Sequence, residues 1–499
     1  MTAVAYLEIF KGLSSEAMLV VTALVALTLD LASLRHTEAP LRRRTIGTVA
    51  VVGLLASVLP LWQQLGNPRT VLLGGTLAVD DLILIFKFVI VVLTLVTVLI
   101  SMDFDVGRHV GEYFAVLLFG AIGMMLLIST EDLLMIFVAL ELTSICLYIL
   151  TAFHKGELRS QEAAVKYFMF GAISSAFLLF GLSYVYGVTG ATSLQGIREA
   201  VKSGGLEMSP LLATGMLFVI IGFGFKVAVV PFHLWAPDAY EGAPTPVTAF
   251  IATGSKVASF FVLLKVLFVG FSGLEGSAFW GHFSSGWTML LAIIAALSMV
   301  LGNCAAIVQH NVKRLLAYSS IAHAGYIFIG LIAASRMGAT SVLFYIIVYA
   351  LTNLGAFGVV AALSSRAGGD ELRDFDGMAK RAPFLSLLML IFVLSLAGIP
   401  PLGGFFGKFY LFASAIQRDS QDFGLLWLVV LGIVMSAVSL YYYLILLKHI
   451  YVVSSDDQTR ILTPTYLNVT LGLVALAVVL LGVYPKPILE LLNSLVAAL

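Results

Sequence analysis

The amino-acid sequence predicts an all-α membrane protein with about fourteen transmembrane helices. Of its 499 residues, 60% are hydrophobic and only 11% are charged, whereas about a quarter of an average soluble sequence is charged. About fourteen apolar runs approach or exceed the roughly 20 residues that a helix needs to cross the hydrocarbon core. No connection between these runs is long or polar enough for a soluble domain.

The apolar runs follow one another along almost the whole chain. The first run lacks a basic leader and a small-residue cleavage site, so we expect a retained helix and not a signal peptide. The runs lie at 16–34, 45–64, 81–101, 112–129, 132–152, 162–187, 210–232, 245–270, 286–306, 313–334, 339–364, 383–417, 423–450 and 464–483.

Two of these runs are predicted to be broken helices. Run 383–417 is too long for one straight crossing and contains the segment GIPPLGG (398–404), in which tandem prolines remove two backbone donors. Run 210–232 ends in KVAVVP (226–231). Broken helices at corresponding places in two halves of a chain point to a transport site between inverted repeats.

The spacing of charged residues also favours two repeats. The separation in sequence from Glu141 to Lys226 equals that from His323 to Lys408. Each repeat would hold five helices, and an odd number of crossings turns the second repeat upside down relative to the first. We therefore expect N-terminal helices one to three, a first repeat, a second, inverted repeat and a C-terminal helix, at 1–111, 112–270, 286–450 and 464–499.

Composition and motifs exclude several classes of function. Basic and acidic residues are equal in number, which gives no reason to expect nucleic acid or an acidic partner. The two cysteines, Cys146 and Cys304, cannot supply the four thiolates of an iron–sulfur cluster or zinc site. Neither a P-loop nor a dinucleotide-binding glycine motif occurs. We therefore expect no metal site and no cofactor site.

Basic residues in the loops predict the orientation. With the N-terminus outside, the cytoplasmic loops, including 35–44, carry about twice as many Lys and Arg residues as the opposite loops, as the positive-inside rule requires. We therefore expect a multi-pass protein of the bacterial inner membrane with both termini in the periplasm.

Ionisable residues inside the apolar runs are the candidate functional residues. A charge at the bilayer centre costs roughly 2.5–3.5 kcal/mol on insertion scales, so such residues usually serve ions, protons or each other. The alternative is that they are paired charges that lock the packing of helices. Two further lysines, Lys87 and Lys265, lie nearer the outer surface and are interpreted as anchors. The predicted proton path comprises Glu141, Lys226, Lys256, His323 and Lys408, with Lys166 and His233 as possible members.

The two lysines at the breaks are expected to differ. Lys226 precedes Pro231, so we expect it in the last turn of its half-helix, where the helix dipole favours a cation. Lys408 follows the second break, so we expect it in the first turn of the next half-helix, where the dipole disfavours a cation. Glu141 is the expected partner of Lys226, and Lys408 is therefore expected to lose its proton more easily.

Three segments resemble a known family. FGFKVAVVPFHLWAPDAYEGAPTPVTAF (223–250), NVKRLLAYSSIAHAGY (311–326) and LAGIPPLGGFFGKFYLF (396–412) resemble the antiporter-like subunits of respiratory complex I. The PDAYEGAPTPVT form, together with EAAVKYFMFGAISSAF (162–177), is most similar to the N subunit of bacterial NADH:quinone oxidoreductase. The similarity covers most of the chain, from about 80 to 450.

The resemblance implies a fold, partners and roles for residues. It implies fourteen helices with five-helix inverted repeats, no cofactor in this subunit, and FMN, iron–sulfur clusters and quinone in partner subunits. The implied partners are other membrane subunits of complex I, including antiporter-like siblings. By motif position the implied helix-five glutamate, helix-six lysine, helix-seven lysine, helix-eight lysine, helix-ten protonatable residue and helix-twelve lysine are Glu141, Lys166, Lys226, Lys256, His323 and Lys408.

The predicted function is therefore proton translocation by a membrane-arm subunit of NADH:quinone oxidoreductase, a translocase in which electrons pass from NADH to quinone in partner subunits. Three alternatives stay open. The chain could be a subunit of a multisubunit sodium/proton antiporter, a subunit of a ferredoxin- or hydrogenase-driven relative of complex I, or a scaffold whose charges only pack. The PDAYEGAPTPVT form (237–248) favours the complex I function over these alternatives.

Overall fold

The computed structural model describes residues 3–203, 209–418, 423–455, 457 and 459–497, and this part of the chain is mainly helical. The outer limits of two predicted regions, at positions 1 and 499, lie outside the described residues.

The helices up to residue 242 are α1 (Ala3–Gly12), α2 (Ser14–Ala32), α3 (Ala39–Gln64), α4 (Asp81–Ser101), α5 (Val110–Ser129), α6 (Leu133–Thr151), α7 (Leu158–Thr189), α8 (Leu194–Ser203), α9 (Pro210–Val227) and α10 (Trp235–Gly242). A short antiparallel hairpin of β1 (Thr70–Leu72) and β2 (Leu77–Val79) lies between α3 and α4, with a 3₁₀ turn at Leu73–Gly75.

The later helices are α11 (Thr245–Gly270), α12 (Trp287–Ile307), α13 (Val312–Ile332), α14 (Arg336–Ala367), α15 (Met378–Arg381), α16 (Pro383–Ala397), α17 (Gly403–Arg418), α18 (Leu426–Tyr451), α19 (Thr465–Val483) and α20 (Lys486–Val496). A second antiparallel hairpin, β3 (Ser277–Phe279) and β4 (His282–Ser284), precedes α12, and a 3₁₀ turn at Leu372–Phe375 precedes α15.

The predicted fold class is confirmed. Within the described residues, thirteen helices are long and apolar enough to cross a membrane. They coincide with thirteen of the predicted runs. The remaining run, 383–417, consists of the shorter helices α16 and α17.

The chain divides into two compact units. The first comprises Met1–Val219 and Gly242–Ser272, and the second comprises Ile220–Glu241 and Gly273–Leu499. The predicted division into four regions was based on the order of the helices, whereas the two units are defined by contacts between residues. The four-region division stays a prediction.

Close helix packing in the first unit depends on glycine. A Cβ added to Gly53 of α3 would lie 2.1 Å from the Oγ1 atom of Thr22 on α2. A Cβ added to Gly123 of α5 would lie 2.6 Å from the Oγ1 atom of Thr143 on α6. Small residues at helix contacts let backbones approach closely in membrane proteins.

The first predicted break lies in the second unit, at the end of α9. Ala228 has a positive φ of 58°, and the Val230–Pro231 peptide bond is cis. The Val230 N–H donates to the Oγ atom of Ser298 at 2.9 Å. The Trp235 indole N–H donates to the Phe225 carbonyl at 3.0 Å. The chain therefore leaves the helix with its backbone groups still satisfied, as a membrane interior requires.

The second predicted break separates α16 from α17 in the same unit. Gly398 ends α16 in the left-handed region with φ 85°, and the Pro400–Pro401 bond is cis. The Gly404 N–H donates to the Ser395 Oγ atom at 3.1 Å. A Cβ at Gly404 would lie 1.8 Å from the Ser395 carbonyl oxygen, so this close return of the chain requires glycine.

The helix α11 of the first unit departs from regular α geometry twice. It contains π-helical turns at Ile251–Ser255 and Val266–Gly270. Lys256 directly follows the first π turn, and Lys265 directly precedes the second. Turns of this kind occur frequently at functional sites.

Candidate functional site

Glu141 lies in the middle of α6 in the first unit. Its Cα atom is about 12 Å along the helix from Leu133, at 1.5 Å per residue. The carboxylate is half-buried, and its Oε1 atom accepts a hydrogen bond of 2.5 Å from the Ser175 hydroxyl on α7. This hydrogen bond connects Glu141 to the neighbouring helix α7.

Lys256 is enclosed by the first unit. Only 2% of the residue is exposed. Buried hydroxyl groups flank it on the same helix at Thr253, Ser255 and Ser259. Lys256 is therefore surrounded by protein and lies near side chains that can form hydrogen bonds.

Lys166 lies near the surface of the first unit. Its side chain is 43% exposed and its Nζ atom lies 2.6 Å from the Oε1 atom of Glu162, one turn earlier on α7. This i,i+4 pair gives the Lys166 ammonium a partner on its own helix. Lys166 is less enclosed than the buried path candidates, which are Lys226, Lys256, His323 and Lys408.

The interpretation of Lys87 and Lys265 as anchors at the lipid interface is wrong, because both side chains are buried inside the first unit. The Nζ atom of Lys87 lies 2.7 Å from the Oε1 atom of Glu16, with 0% and 5% of the two side chains exposed. Lys265 donates to the Thr130 carbonyl at 2.8 Å and lies 3.4 Å from Glu131.

Lys226 occupies the last turn of α9 in the second unit, as predicted. The residue is 8% exposed, and its Nζ atom lies 5.5 Å from the centre of the Phe225 ring. A residue in the last turn lies at the negative end of the dipole of its half-helix, which favours a positive charge. Glu141 belongs to the other unit, and its pairing with Lys226 stays a prediction.

Lys408 contradicts the expectation of an unfavourable dipole. The residue lies beyond the first turn of α17, and its side chain extends back to the end of α16. The Nζ atom donates to the carbonyls of Leu396 at 2.9 Å and Ala397 at 3.3 Å, and to the Ser436 hydroxyl at 2.8 Å. The ammonium therefore meets the negative end of a half-helix, because the lysine side chain is long enough to cross the break.

His323 lies deep in α13 of the second unit, about 16 Å along the helix from Val312 at 1.5 Å per residue. Only 1% of the residue is exposed. Its Nδ1 atom lies 2.5 Å from the Tyr345 hydroxyl, and its Nε2 atom lies 3.3 Å from the Tyr443 hydroxyl. The imidazole therefore has a hydroxyl at each nitrogen.

The structure brings His323 and Lys408 together around one aromatic ring. The His323 and Tyr326 rings are perpendicular, with centres 5.5 Å apart. The Lys408 Nζ atom lies 4.8 Å from the centre of the same Tyr326 ring, which is within the range of a cation–π interaction. These two candidates thus belong to one cluster.

His233 lies in the turn between α9 and α10. It is half-buried, and its carbonyl accepts the Ala236 N–H at 2.9 Å. It belongs to the turn that follows the first break.

Sequence reasoning missed a charge cluster at the start of α13. The Nη1 atom of Arg314 lies 2.7 Å from Asp238 and 2.8 Å from Glu241. Lys313 donates to the Glu241 carbonyl at 2.5 Å and lies 3.1 Å from Asp370. The acidic residues of the PDAYEG segment therefore attach α10 to the helix that carries His323.

Within the described residues, no group of three or more His, Cys, Asp or Glu side chains is arranged to hold a metal ion. Cys146 is buried and Cys304 is exposed.

The chain is similar to known proteins over nearly its whole length. Residues 130–439 match the family described as NADH:quinone oxidoreductase/Mrp antiporter, transmembrane. The NADH-quinone oxidoreductase subunit N 2 of Acidobacterium capsulatum is 45% identical over 505 aligned residues, which cover 99% of this chain and 100% of that protein. The subunit N of Desulforamulus reducens is 42% identical, over 90% of this chain and 91% of that protein.

A solved structure gives the same result. A chain of respiratory complex I from Thermus thermophilus with bound aureothin is 34% identical, has a TM-score of 0.77, and is matched over 98% of its length by 95% of this chain. The resemblance predicted from the motifs is confirmed. Because the family match covers more than half of the chain and the relatives match nearly all of it, the chain belongs to the NADH:quinone oxidoreductase/Mrp antiporter transmembrane family and, within it, to the NADH-quinone oxidoreductase subunit N proteins.

Proposed function

We propose that this chain is the proton-translocating membrane-arm subunit of an NADH:quinone oxidoreductase, and that the enzyme acts as a translocase. Electron transfer from NADH to quinone takes place in partner subunits, which hold FMN, iron–sulfur clusters and quinone. The observation that carries the proposal is the burial of Lys226, Lys256, His323 and Lys408 inside a subunit N protein.

The buried residues have the chemistry that a proton path needs. Lysine, histidine and glutamate each hold or release a proton, and their neighbours determine which state is favoured. Lys226 belongs to the last turn of the half-helix α9, and the Lys408 ammonium donates to the last carbonyls of the half-helix α16. Half-helix ends of this kind bind the coupling ions of many membrane transporters. We assign Glu141 and Lys226 to one end of the path and Lys408 to the other, with Lys256 and His323 between them.

The predicted partners, membrane location and internal repeats belong to the same proposal. The partners are the other membrane subunits of complex I, including antiporter-like siblings, and the surrounding lipid. The protein lies in the inner membrane with both termini in the periplasm. The segments 112–270 and 286–450 form two inverted repeats. Lys166 and His233 are possible path members at its edges.

The test compares variants of path residues with a matched surface variant in the assembled complex. Glu141→Gln and Lys256→Ala should lower proton uptake by vesicles and the coupled NADH oxidation at least tenfold, while the complex still assembles. Lys486→Ala is the control, because the Lys486 side chain is 73% exposed. Assembled path variants that pump like the control would leave these charges with a packing role only.

A second experiment separates the proposal from an antiporter function. The native assembly is purified and its subunits are identified, and vesicle transport is measured with and without sodium. Co-purification with flavin- and iron–sulfur-containing subunits and sodium-independent proton uptake are expected. An assembly without redox subunits, in which proton movement requires sodium, would assign the chain to the antiporter branch.

A further inference from the structure

Buried tyrosines surround His323 in the second unit. Tyr326, Tyr345, Tyr349 and Tyr443 are each at most 3% exposed. The rings of Tyr345 and Tyr349 lie 6.0 Å and 5.4 Å from the imidazole, centre to centre. A tyrosine hydroxyl both donates and accepts a hydrogen bond. It can therefore pass on one proton while it receives another.

Four of the polar groups here form one continuous row. The Ser319 hydroxyl is hydrogen-bonded to the Tyr443 hydroxyl. The Tyr443 hydroxyl lies 3.3 Å from Nε2 of His323, and Nδ1 of His323 lies 2.5 Å from the Tyr345 hydroxyl. Every member has both a donor and an acceptor when the imidazole is neutral. The contact of 3.3 Å between Nε2 of His323 and the Tyr443 hydroxyl is the longest in the row. The imidazole must therefore move closer to Tyr443 before a proton can pass between them.

We propose that Tyr443 and Tyr345 are proton-path residues that carry protons to and from His323, with Ser319 as the next member of the row. This inference rests on the proposed function and adds residues to its path. A proton that arrives at Ser319 displaces the hydroxyl proton of Ser319 to Tyr443 and that of Tyr443 to Nε2. The Nδ1 proton then moves to Tyr345, which releases its own hydroxyl proton.

The net result of this transfer is the movement of one proton along the row from Ser319 to Tyr345. Each oxygen loses one proton and gains one, and His323 gains one at Nε2 and loses one at Nδ1. No bond between heavy atoms changes. Rotation of the hydroxyl groups restores their starting directions. The imidazole returns from its Nε2–H to its Nδ1–H tautomer by losing the proton at Nε2 and gaining one at Nδ1.

The row ends beside the helix that carries Lys408. A Cβ added to Gly407 of α17 would lie 2.2 Å from the Tyr345 ring. The absence of a side chain at Gly407 therefore lets Tyr345 remain against α17 while its hydroxyl contacts His323. Lys408 follows Gly407 in the chain, so Tyr345 lies between His323 and the segment with the next ionisable group.

The test removes single hydroxyl groups from the assembled complex in vesicles. Tyr443→Phe and Tyr345→Phe should each lower the rate of proton uptake at least tenfold. Tyr113→Phe is the matched control, because the Tyr113 hydroxyl is also buried and bonded to a serine, Ser101, at 2.9 Å. The control should retain more than half of the rate. Wild-type rates in both path variants would overturn the proposal.

A second measurement separates proton transfer from packing. Replacing Tyr443 with 3-fluorotyrosine gives a more acidic phenol of nearly the same size, and this change should alter the rate of proton uptake. An unchanged rate would mean that Tyr443 only fills space, even if Tyr443→Phe fails to assemble. If the Glu141→Gln variant and the tyrosine variants all take up protons at the wild-type rate, the proposed function fails. If only the tyrosine variants take up protons at that rate, this inference alone fails.

Discussion

Replacement of Lys408 by arginine separates the need for a positive charge from the need to release a proton. The acceptors of the Lys408 ammonium, at Leu396, Ala397 and Ser436, can also accept from a guanidinium. The charge would therefore remain at the end of α16. Arginine does not give up its proton at physiological pH. Lys408→Ala removes both the charge and the proton.

The magnitude follows from the ordinary pKa values of the two side chains. Free guanidinium has a pKa roughly 2–3 units above that of an ammonium group, and each unit corresponds to about 1.4 kcal/mol. The neutral form of the side chain is therefore about 3–4 kcal/mol harder to reach in Lys408→Arg. If Lys408 must release its proton in each cycle, proton uptake should fall about 100-fold or more, almost as far as in Lys408→Ala.

The assay is proton uptake by vesicles that contain the assembled complex, with NADH oxidation measured in parallel. Lys226→Arg is the comparison, because Lys226 also lies at the end of a half-helix, and it should retain more function if charge matters more than proton loss there. Full activity of Lys408→Arg would refute the reasoning, because the site would then need only a positive charge.

Three further predictions concern pairing, attachment and topology. Glu16→Gln or Lys87→Met alone should destabilise the protein by about 3–5 kcal/mol, and the double variant should recover most of the loss of thermal stability; stable single variants would argue against a buried pair. Arg314→Gln should lower proton uptake without preventing assembly, because α10 loses the two ion pairs of Arg314 that attach it to α13. Unchanged uptake would show that these ion pairs are dispensable. In intact cells an impermeant thiol reagent should label Gln195→Cys but not Gly156→Cys, and the reverse pattern would contradict the predicted orientation.

The helices could be predicted because the requirement for them is local. A membrane crossing needs a long apolar run, and the runs coincide with the helices to within a few residues. The two breaks could be predicted equally well. Pro231 in the first break and the prolines and glycines of 398–404 in the second act on the backbone at their own positions. Even the long run 383–417 was interpreted correctly as two half-helices.

The partners of buried charges were less predictable because they depend on contacts between distant segments. Lys87 is paired with Glu16 on another helix, and neither residue indicates the other in the sequence. Lys408 was expected in the first turn of its half-helix, but it lies beyond that turn and its side chain extends back across the break. The sequence predicts where the Cα atom of a residue lies relative to a helix dipole. The ammonium group of a lysine lies several ångströms from its Cα atom and can meet a different dipole.

The contacts of the tyrosines near His323 could not be predicted for a related reason. Tyr443 lies in the run SLYYYL (439–444), which is typical of an apolar helix surface. The helical period does not distinguish a tyrosine that packs from one whose hydroxyl meets an imidazole. The contact to His323 involves a residue 120 positions away, so only the assembled fold reveals it.

The half-helices α9 and α16 end with carbonyl groups that accept hydrogen bonds from different kinds of side chain. At the end of α9, the Phe225 carbonyl accepts from the Trp235 indole, and Lys226 lies beside it without being needed for that bond. At the end of α16, the last carbonyls accept from Lys408 itself. A neutral amine has only two N–H donors for the three oxygens that the ammonium meets, so loss of the Lys408 proton must change the hydrogen bonds of the break. The Ser436 hydroxyl lies 3.4 Å from the Ala397 carbonyl, and it can turn to donate to a neutral amine. A proton released from Lys408 would therefore change the hydrogen bonds of the backbone at the break. At Lys226, the indole holds the Phe225 carbonyl in either protonation state of the lysine.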